Sequence, residues 1–258
     1  MITAASNKKV KNLVNLIQKA KARREQDVFI TEGVKMFLEA EPERIKEVYV
    51  SESFYEKGSA REKIEQCNYE VLSDELLKKV SDTQTPQGIL CVMKQYHYTL
   101  EDLFQKEKPM FLILEDIQDP GNLGTMVRTA EGAGADGIIM TKGTVDIYNP
   151  KTIRSTMGSV YRMPFLYTED LPGIMKELQR RNVKLYAAHL KGKQFYHQMD
   201  FKQGTAFLIG NEGNGLKDET AAAADVYMKI PMEGKIESLN AAVASVILMY
   251  EAARQRMS

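Results

Sequence analysis

The chain has 258 residues, 43% of them hydrophobic, and 35 basic and 35 acidic side chains give it a formal net charge of zero. This length favours two domains whose cores form without metals or disulfides, and the neutral balance excludes a global basic field as the sign of nucleic-acid binding. No apolar run approaches the ~20 residues that cross a bilayer, so we expect no membrane partner.

The cysteines favour a reducing compartment. Cys67 and Cys91 are far apart and lack the CxxC spacing of a metal or redox site, and the chain begins without a charged and then apolar leader. We therefore expect a cytoplasmic protein in which both cysteines are core residues.

Positive charge is concentrated at the start of the chain. Seven basic residues precede the first acid, Glu25: Lys8, Lys9, Lys11, Lys19, Lys21, Arg23 and Arg24. From Asn7 to about Ala22 apolar residues recur at helical spacing, which predicts one amphipathic helix. Its basic side chains form either a solvated helix face or an RNA-binding arm, and composition alone leaves both open.

Short strand-like and helix-like segments then alternate, which predicts a compact α/β domain over residues 1–97. The predicted elements are Val28 to Ile30, Gly33 to Glu39, Ile45 to Val50, Ala60 to Gln66, Glu70 to Leu72, Asp74 to Val80 and Ile89 to Met93. Residues 98–109 are polar and end at Pro109, which is typical of a linker.

A second α/β domain is predicted over residues 110–258. The continuous apolar run Phe111 to Leu114 indicates a strand buried on both faces of a parallel sheet. Further strands are predicted at Gly137 to Met140, Lys184 to Ala188, Ala206 to Ile209 and Val226 to Ile230, with helices beginning near Asn122, Leu171, Lys217 and Asn240. Ligands of such sheets bind beyond the carboxyl ends of the strands, so the loops that follow strands are the candidate sites.

The segment Gly132 to Gly137, GAGADG, matches the spacing of a dinucleotide-binding loop. That loop requires a strand before its glycines and a helix after them, whereas here a predicted helix precedes and a strand follows. We interpret the glycines as a helix end and a turn. His97, His189 and His197 lack metal-ligand spacing, so no metal site is predicted.

The first informative loop is Glu115 to Arg128, EDIQDPGNLGTMVR. Pro120 and Gly121 indicate a turn, and Asn122 is predicted to cap the following helix. Arg128 then lies about one and a half turns into that helix, where its planar fork of donors suits a phosphate. Taken alone, capping explains Asn122 and a surface position explains Arg128.

Two later loops add a glycine-rich turn and a cap. Gly210 to Gly215, GNEGNG, lets backbone approach a flat ligand closely and carries one ionisable group, Glu212. The loop from Ile230 ends in Ser238 and Asn240, either of which can cap the last helix. That helix is apolar on nearly every side, and a homodimer contact is the simplest way to bury it.

Together these loops resemble the three motifs of the SpoU (TrmH) branch of the SPOUT methyltransferase superfamily. The first motif falls on Asn122 and Arg128, the second on Gly210 to Gly213, and the third, IP-M followed by SLN, on Ile230 to Asn240. The resemblance spans about Phe111 to Arg256 and includes NPKTIRSTMGS. SNKKVK near Ser6 and FITEG at Phe29 are similar to the ribosomal-protein-like substrate-binding domain common in this branch.

The resemblance implies an α/β fold whose C-terminal domain is a trefoil knot, preceded by a small RNA-binding domain. It implies S-adenosylmethionine (SAM) as cofactor and a homodimer with the pocket near its interface. The implied cofactor contacts are Gly210, Asn211, Gly213, Ile230, Met232 and Leu239. The implied catalytic group is Arg128, Asn122, Glu212, Ser238 and Asn240.

The implied reaction is methylation of a ribose 2'-hydroxyl in RNA. We expect Arg128 to clamp a substrate phosphate, because a guanidinium with a pKa above ~12 is a poor base. Proton removal then falls to the substrate phosphate or to a transiently deprotonated arginine. Ribosomal RNA is preferred over transfer RNA because of the first domain. A tRNA 2'-O-methyltransferase and a non-catalytic ribosome-assembly protein are the alternatives.

Overall fold

The computed structural model describes residues 1–257, which form two compact units. The first unit contains Met1–Tyr96 and Asp146–Tyr161, and the second contains His97–Val145 and the chain from Arg162 onward. The segment 146–161 thus packs with the first unit although it lies within the second half of the sequence. The domain boundaries at residues 97 and 110 remain a prediction.

The first unit is built on a four-stranded mixed sheet in the order β1-β4-β2-β3. β4 is antiparallel to β1 and β2, whereas β2 and β3 are parallel. The strands are β1 Val28–Glu32, β2 Ile45–Ser51, β3 Tyr69–Leu72 and β4 Ile89–Lys94. The helices are α1 Lys8–Gln18, α2 Ala20–Gln26, α3 Val34–Glu39, α4 Glu52–Glu56, α5 Arg61–Glu65 and α6 Asp74–Val80. Every strand predicted for this half is confirmed.

The prediction of one N-terminal helix is wrong, because the chain breaks at Lys19 into α1 and α2. The break lets the buried Arg23 guanidinium donate to the carbonyls of Leu16 and Ile17 at 2.8 and 3.1 Å and pair with Asp146 at 2.6 Å. Arg23 therefore stabilises the end of α1 and is removed from the basic face. Lys9 is paired as well, with two glutamates of the sheet.

The cysteine prediction holds for only one residue. Cys91 on β4 is fully buried, and burial raises the pKa of its thiol to about 12. Cys67 is half-buried, so its assignment to the core is wrong. The Cys67 thiol donates to the Lys63 carbonyl in the preceding helical turn.

The second unit contains a seven-stranded sheet in the order β7-β6-β5-β10-β8-β11-β9, and every adjacent pair is parallel. The strands are β5 Met110–Leu114, β6 Gly137–Thr141, β7 Phe165–Thr168, β8 Lys184–Ala188, β9 Gln194–Phe195, β10 Thr205–Ile209 and β11 Val226–Lys229. All residues of β5 and β10 are buried, as expected for central strands of a covered parallel sheet.

The remaining helices are α7 Leu100–Leu103, α8 Pro120–Gly132, α9 Pro150–Thr156, α10 Leu171–Arg180, α11 Asp218–Ala222 and α12 Ala241–Arg256. α9 belongs to the first unit and the others to the second. α7 lies inside the predicted linker, and its Leu103 is fully buried. None of the helices in residues 1–257 combines the length and apolar character that a membrane span requires.

The C-terminal segment returns from the side of the sheet towards its centre. After β11 the chain crosses back, and α12 packs against α8 and β10. The predicted trefoil knot likewise brings the C-terminal segment back to the centre of the sheet. α8 ends at Gly132, Gly134 adopts a positive φ of 75°, and β6 follows, which confirms GAGADG as a helix end and a turn.

Candidate functional site

A cavity of about 410 Å³ opens at the carboxyl ends of β8, β10 and β11. Its size is that of a small-molecule site, and it lies where ligands of parallel sheets bind. The predicted residues that line it are Gly210, Asn211, Glu212, Gly213, Ile230, Met232, Ser238 and Leu239. The three loops that follow these strands therefore share one pocket.

The turn after β10 is held by the Asn211 side chain. Its Oδ1 accepts hydrogen bonds from the backbone N–H groups of Gly213 and Asn214, at 2.9 and 3.1 Å. Its Nδ2 donates to the Asp116 carbonyl at 2.8 Å. The turn is so tight that a Cβ on Gly210 would lie 2.0 Å from the Gly215 carbonyl carbon, so only glycine fits there.

Glu212 connects this turn to the loop after β5. Its carboxylate accepts hydrogen bonds from the backbone N–H groups of Gln118 and Asp119, at 3.0 and 3.1 Å, and from Asn122 Nδ2 at 3.0 Å. Burial on its own would raise the pKa of Glu212, but these hydrogen bonds outweigh it and lower the pKa below 4.5. Glu212 is therefore ionised at neutral pH.

The prediction that Asn122 caps α8 is wrong. Asp119 is the N-cap, because its carboxylate accepts the Asn122 N–H at 2.8 Å, and Pro120 occupies the first helical position. The Asn122 side chain is thereby free to bond across the site. Arg128 becomes the ninth residue of α8, about two and a half turns from the cap rather than one and a half.

Asn240 joins the third loop to the first. Its Oδ1 caps α12 by accepting from the N–H groups of Ala242 and Val243, as predicted, and its Nδ2 donates to Asn122 Oδ1 at 3.1 Å. Glu212, Asn122 and Asn240 thus form one hydrogen-bonded chain through all three loops. Ser238 lines the cavity and does not cap the helix.

Arg128 stands apart from this network. Its side chain is exposed and does not line the cavity, and within residues 1–257 its guanidinium has no hydrogen-bond or ion-pair partner. The structure therefore brings together ten of the eleven predicted site residues, by the cavity wall or by hydrogen bonds, and leaves Arg128 outside that group.

His189 and Lys191 line the cavity and were not predicted as site residues. The His189 ring stacks on Tyr227 at a centroid distance of 5.1 Å, and its Nδ1 accepts the Lys191 N–H. Both residues follow the predicted strand Lys184 to Ala188. The rule that ligands bind after strand ends could have identified them, whereas the search for metal-ligand spacing dismissed the histidine.

Glu212→Gln is expected to lower kcat/KM about tenfold, because the amide replaces one acceptor oxygen with a donor and each lost hydrogen bond is worth about 1 kcal/mol. Steady-state kinetics of RNA methylation measure this. Glu219→Gln on α11, which is exposed, is the matched control. The pKa of Glu212 is lowered by folding, so the carboxylate stabilises the site fully above pH 4.5 and loses that effect as the pH falls further. Unchanged kinetics in Glu212→Gln would mean that the hydrogen bonds of the Glu212 carboxylate are not needed for methylation.

Two protein families match the chain. Residues 109–250 match the SpoU rRNA Methylase family, and residues 7–91 match the MRM3-like substrate binding domain. Among curated relatives, the 23S rRNA (guanosine(2553)-2'-O)-methyltransferase RlmP of Bacillus subtilis is 36% identical over 251 residues, which is 96% of this chain and 97% of the relative.

Solved structures of RNA methyltransferases also match the chain. The SpoU methyltransferase AviRb from Streptomyces viridochromogenes, in complex with the cofactor AdoMet, superposes with a TM-score of 0.90 at 26% identity, covering 98% of this chain and 99% of that one. An AdoMet-bound rRNA methyltransferase from Sinorhizobium meliloti superposes with a TM-score of 0.86 at 30% identity, covering 100% and 98%. The fold, the site and the extent of these matches lead to one conclusion: the chain belongs to the SpoU rRNA methylase family.

Proposed function

We propose that this protein methylates a ribose 2'-hydroxyl in ribosomal RNA, with SAM as the methyl donor, in the cytoplasm. The observation that carries the proposal is the hydrogen-bonded chain Glu212–Asn122–Asn240, which ties the three family motifs around one cavity. The 23S rRNA methyltransferase relative, similar over nearly its whole length, supports ribosomal RNA as the substrate.

The cavity fits SAM by size and by lining. Its wall combines backbone of the Gly210 turn with the apolar side chains of Ile230, Met232 and Leu239, which suits an adenosine held by peptide groups. The missing Cβ at Gly210 lets the turn close on itself. When bound, SAM supplies a methyl group that is already activated on a sulfonium.

The residues of the chain then position the substrate rather than activate the methyl group. The lowered pKa of Glu212 and its three hydrogen bonds make it a weak base, so it orients Asn122 and the turn instead. Arg128 presents an unpaired guanidinium on the surface of α8, and we assign it to a phosphate of the RNA. Ser238 lies in the cavity wall beside Leu239 and orients the ribose.

RNA binding combines the basic arm with cations near the cavity. Two basic side chains of this arm, Lys9 and Arg23, form ion pairs within the first unit. The others are exposed: Lys8, Lys11, Lys19, Lys21 and Arg24. Lys191 and Lys229 line the cavity. Contacts of these side chains with phosphates make the affinity for RNA fall as salt rises.

We further propose a homodimer through α12. Val243 and Tyr250 are 47% and 50% exposed, and with Val246 and Ile247 they form one apolar stripe at helical spacing. A stripe of this kind on a monomer is unusual and marks an interaction surface.

The double substitution Val243→Glu with Ile247→Glu is expected to convert the dimer into a monomer of 29.2 kDa, because two carboxylates would be buried without partners. Light scattering coupled to size exclusion measures the mass. Lys176→Glu on the exposed side of α10 serves as the control and should leave the dimer intact. A wild-type protein that is already monomeric at micromolar concentration would contradict the dimer.

The substrate is tested by transfer of labelled methyl from SAM to unmodified ribosomal and transfer RNA fractions. The proposal predicts label in ribosomal RNA. Label confined to transfer RNA would overturn the choice of substrate and favour a tRNA 2'-O-methyltransferase. SAM binding without transfer to either fraction, or to assembling ribosomal subunits, would favour the non-catalytic alternative.

A further inference from the structure

Asp116, directly after β5, has a left-handed backbone conformation, which is uncommon outside glycine although aspartate tolerates it better than most residues. Its φ is 55°, in a region that costs most residues about 1 to 2 kcal/mol and that aspartate enters with the help of local hydrogen bonds. Such a conformation persists only where the surroundings enforce it, and strained residues of this kind cluster at functional sites. Asp116 follows the buried Glu115 at the edge of the sheet where the cavity opens.

Two groups hold the Asp116 side chain. Its carboxylate accepts a hydrogen bond from Thr141 Oγ1 at 2.7 Å and pairs with Lys217 Nζ at 2.8 Å. The Thr141 hydroxyl also accepts the Asp116 N–H at 2.9 Å, so one side chain fixes both ends of the residue. Gly143 leaves room for this arrangement, since a Cβ there would lie 2.1 Å from Asp116 Oδ1.

The left-handed conformation directs the Asp116 carbonyl towards the cofactor turn. That carbonyl accepts hydrogen bonds from Asn211 Nδ2 at 2.8 Å and from Gln118 Nε2 at 2.9 Å. Asn211 in turn holds Gly213 and Asn214 through its Oδ1. A rotation of the Asp116 backbone into the right-handed region would turn its carbonyl away from Asn211 Nδ2, and the turn would lose this hydrogen bond.

We propose that Asp116 is a positioning residue for the cofactor: its carboxylate, held by Thr141 and Lys217, fixes the carbonyl that holds Asn211 and thereby the turn lining the cavity. The inference rests on the proposed function, since it assigns SAM to that cavity. Asp116 itself does not line the cavity and is given no contact with the cofactor.

The test measures the Kd of SAM by calorimetry, together with the Tm, for wild type, Asp116→Ala and Asp116→Asn. Alanine removes both side-chain anchors, and the loss of about one to two hydrogen bonds to the turn should weaken SAM binding roughly tenfold. Asparagine tolerates the left-handed region and keeps an acceptor for Thr141, so it should restore affinity to within about threefold. Asn182→Ala, at a residue with φ of 61° in the turn before β8, imposes the same strain elsewhere and should lower the Tm without changing the Kd.

Alanine with wild-type affinity would overturn the proposal, as would equal weakening by Asp116→Ala, Asp116→Asn and the Asn182→Ala control, which would mean a general loss of stability. Wild-type protein that binds no SAM would overturn this inference and the proposed function together. Wild-type protein that binds SAM but methylates no RNA would count against the proposed function alone, and the comparison of Kd values would still decide the role of Asp116.

Discussion

Arg128→Ala is expected to abolish methylation while leaving the affinity for SAM nearly unchanged. Arg128 does not line the cavity, so its removal should alter the Kd of SAM by less than about twofold. Its unpaired, exposed guanidinium is the group we assign to the RNA phosphate. Removing a group that orients the reacting atoms lowers turnover by about 10² to 10³-fold. Single-turnover transfer of labelled methyl, with calorimetry of SAM, measures both quantities.

Two further variants make the result specific to the guanidinium fork. Arg128→Lys keeps the charge but loses bidentate binding, so we expect partial activity. Arg180→Ala removes an arginine of α10 that is 72% exposed and should methylate at the wild-type rate. Turnover by Arg128→Ala within a few-fold of wild type would exclude Arg128 from the reaction.

Gly210→Ala is expected to weaken SAM binding by up to roughly a hundredfold in an otherwise folded protein. The added Cβ would lie 2.0 Å from the Gly215 carbonyl carbon and 2.1 Å from the Leu216 nitrogen, and both contacts are with backbone. The turn must therefore move, and overpacking of this kind costs about 1 to 3 kcal/mol, which at its upper end is roughly a hundredfold in affinity. Calorimetry with SAM measures the loss.

Gly234→Ala is the matched control for this substitution. Gly234 lies in the loop after β11, and a Cβ there would have nothing within 4 Å, so affinity and Tm should stay at wild-type values. If Gly210→Ala bound SAM as tightly as wild type, the turn after β10 would not form the cofactor wall.

The sequence pattern predicted the central strands well because burial on both faces leaves a strong signal. Phe111 to Leu114 is uniformly apolar, and all of β5 is buried in the sheet. The edge strand β7 was missed, because Phe165 alone of its four residues is buried and the run lacks that signal. β9 has only two residues, too few for any periodicity.

The two errors in helix boundaries, at α8 and at Lys19, have different causes. The cap of α8 was predictable, since Asp119 followed by Pro120 is the usual arrangement of a capping side chain and a first helical residue. The break at Lys19 was not, because it contains neither glycine nor proline. After the break Arg23 contacts Asp146, which is 123 positions away in the chain, so this partner could not be read from the local sequence.

In the candidate site, too, some features could be predicted from the sequence and others depend on contacts between distant parts of the chain. Gly210, Glu212 and Asn240 were identified from the sequence through their motifs, and the structure places them around one cavity or in one hydrogen-bonded chain. The strained backbone of Asp116 has no sequence signature, since an aspartate after a strand reads as an ordinary turn residue. Its contact with Asn211 becomes visible only when two loops nearly a hundred residues apart meet.

The central claim is that the methyl group reaches a ribose oxygen of ribosomal RNA. Unmodified ribosomal RNA should be incubated with the protein and labelled SAM, digested to nucleosides and resolved by chromatography with mass spectrometry. We predict label in a single 2'-O-methylnucleoside. Label in a base-methylated nucleoside would contradict the account.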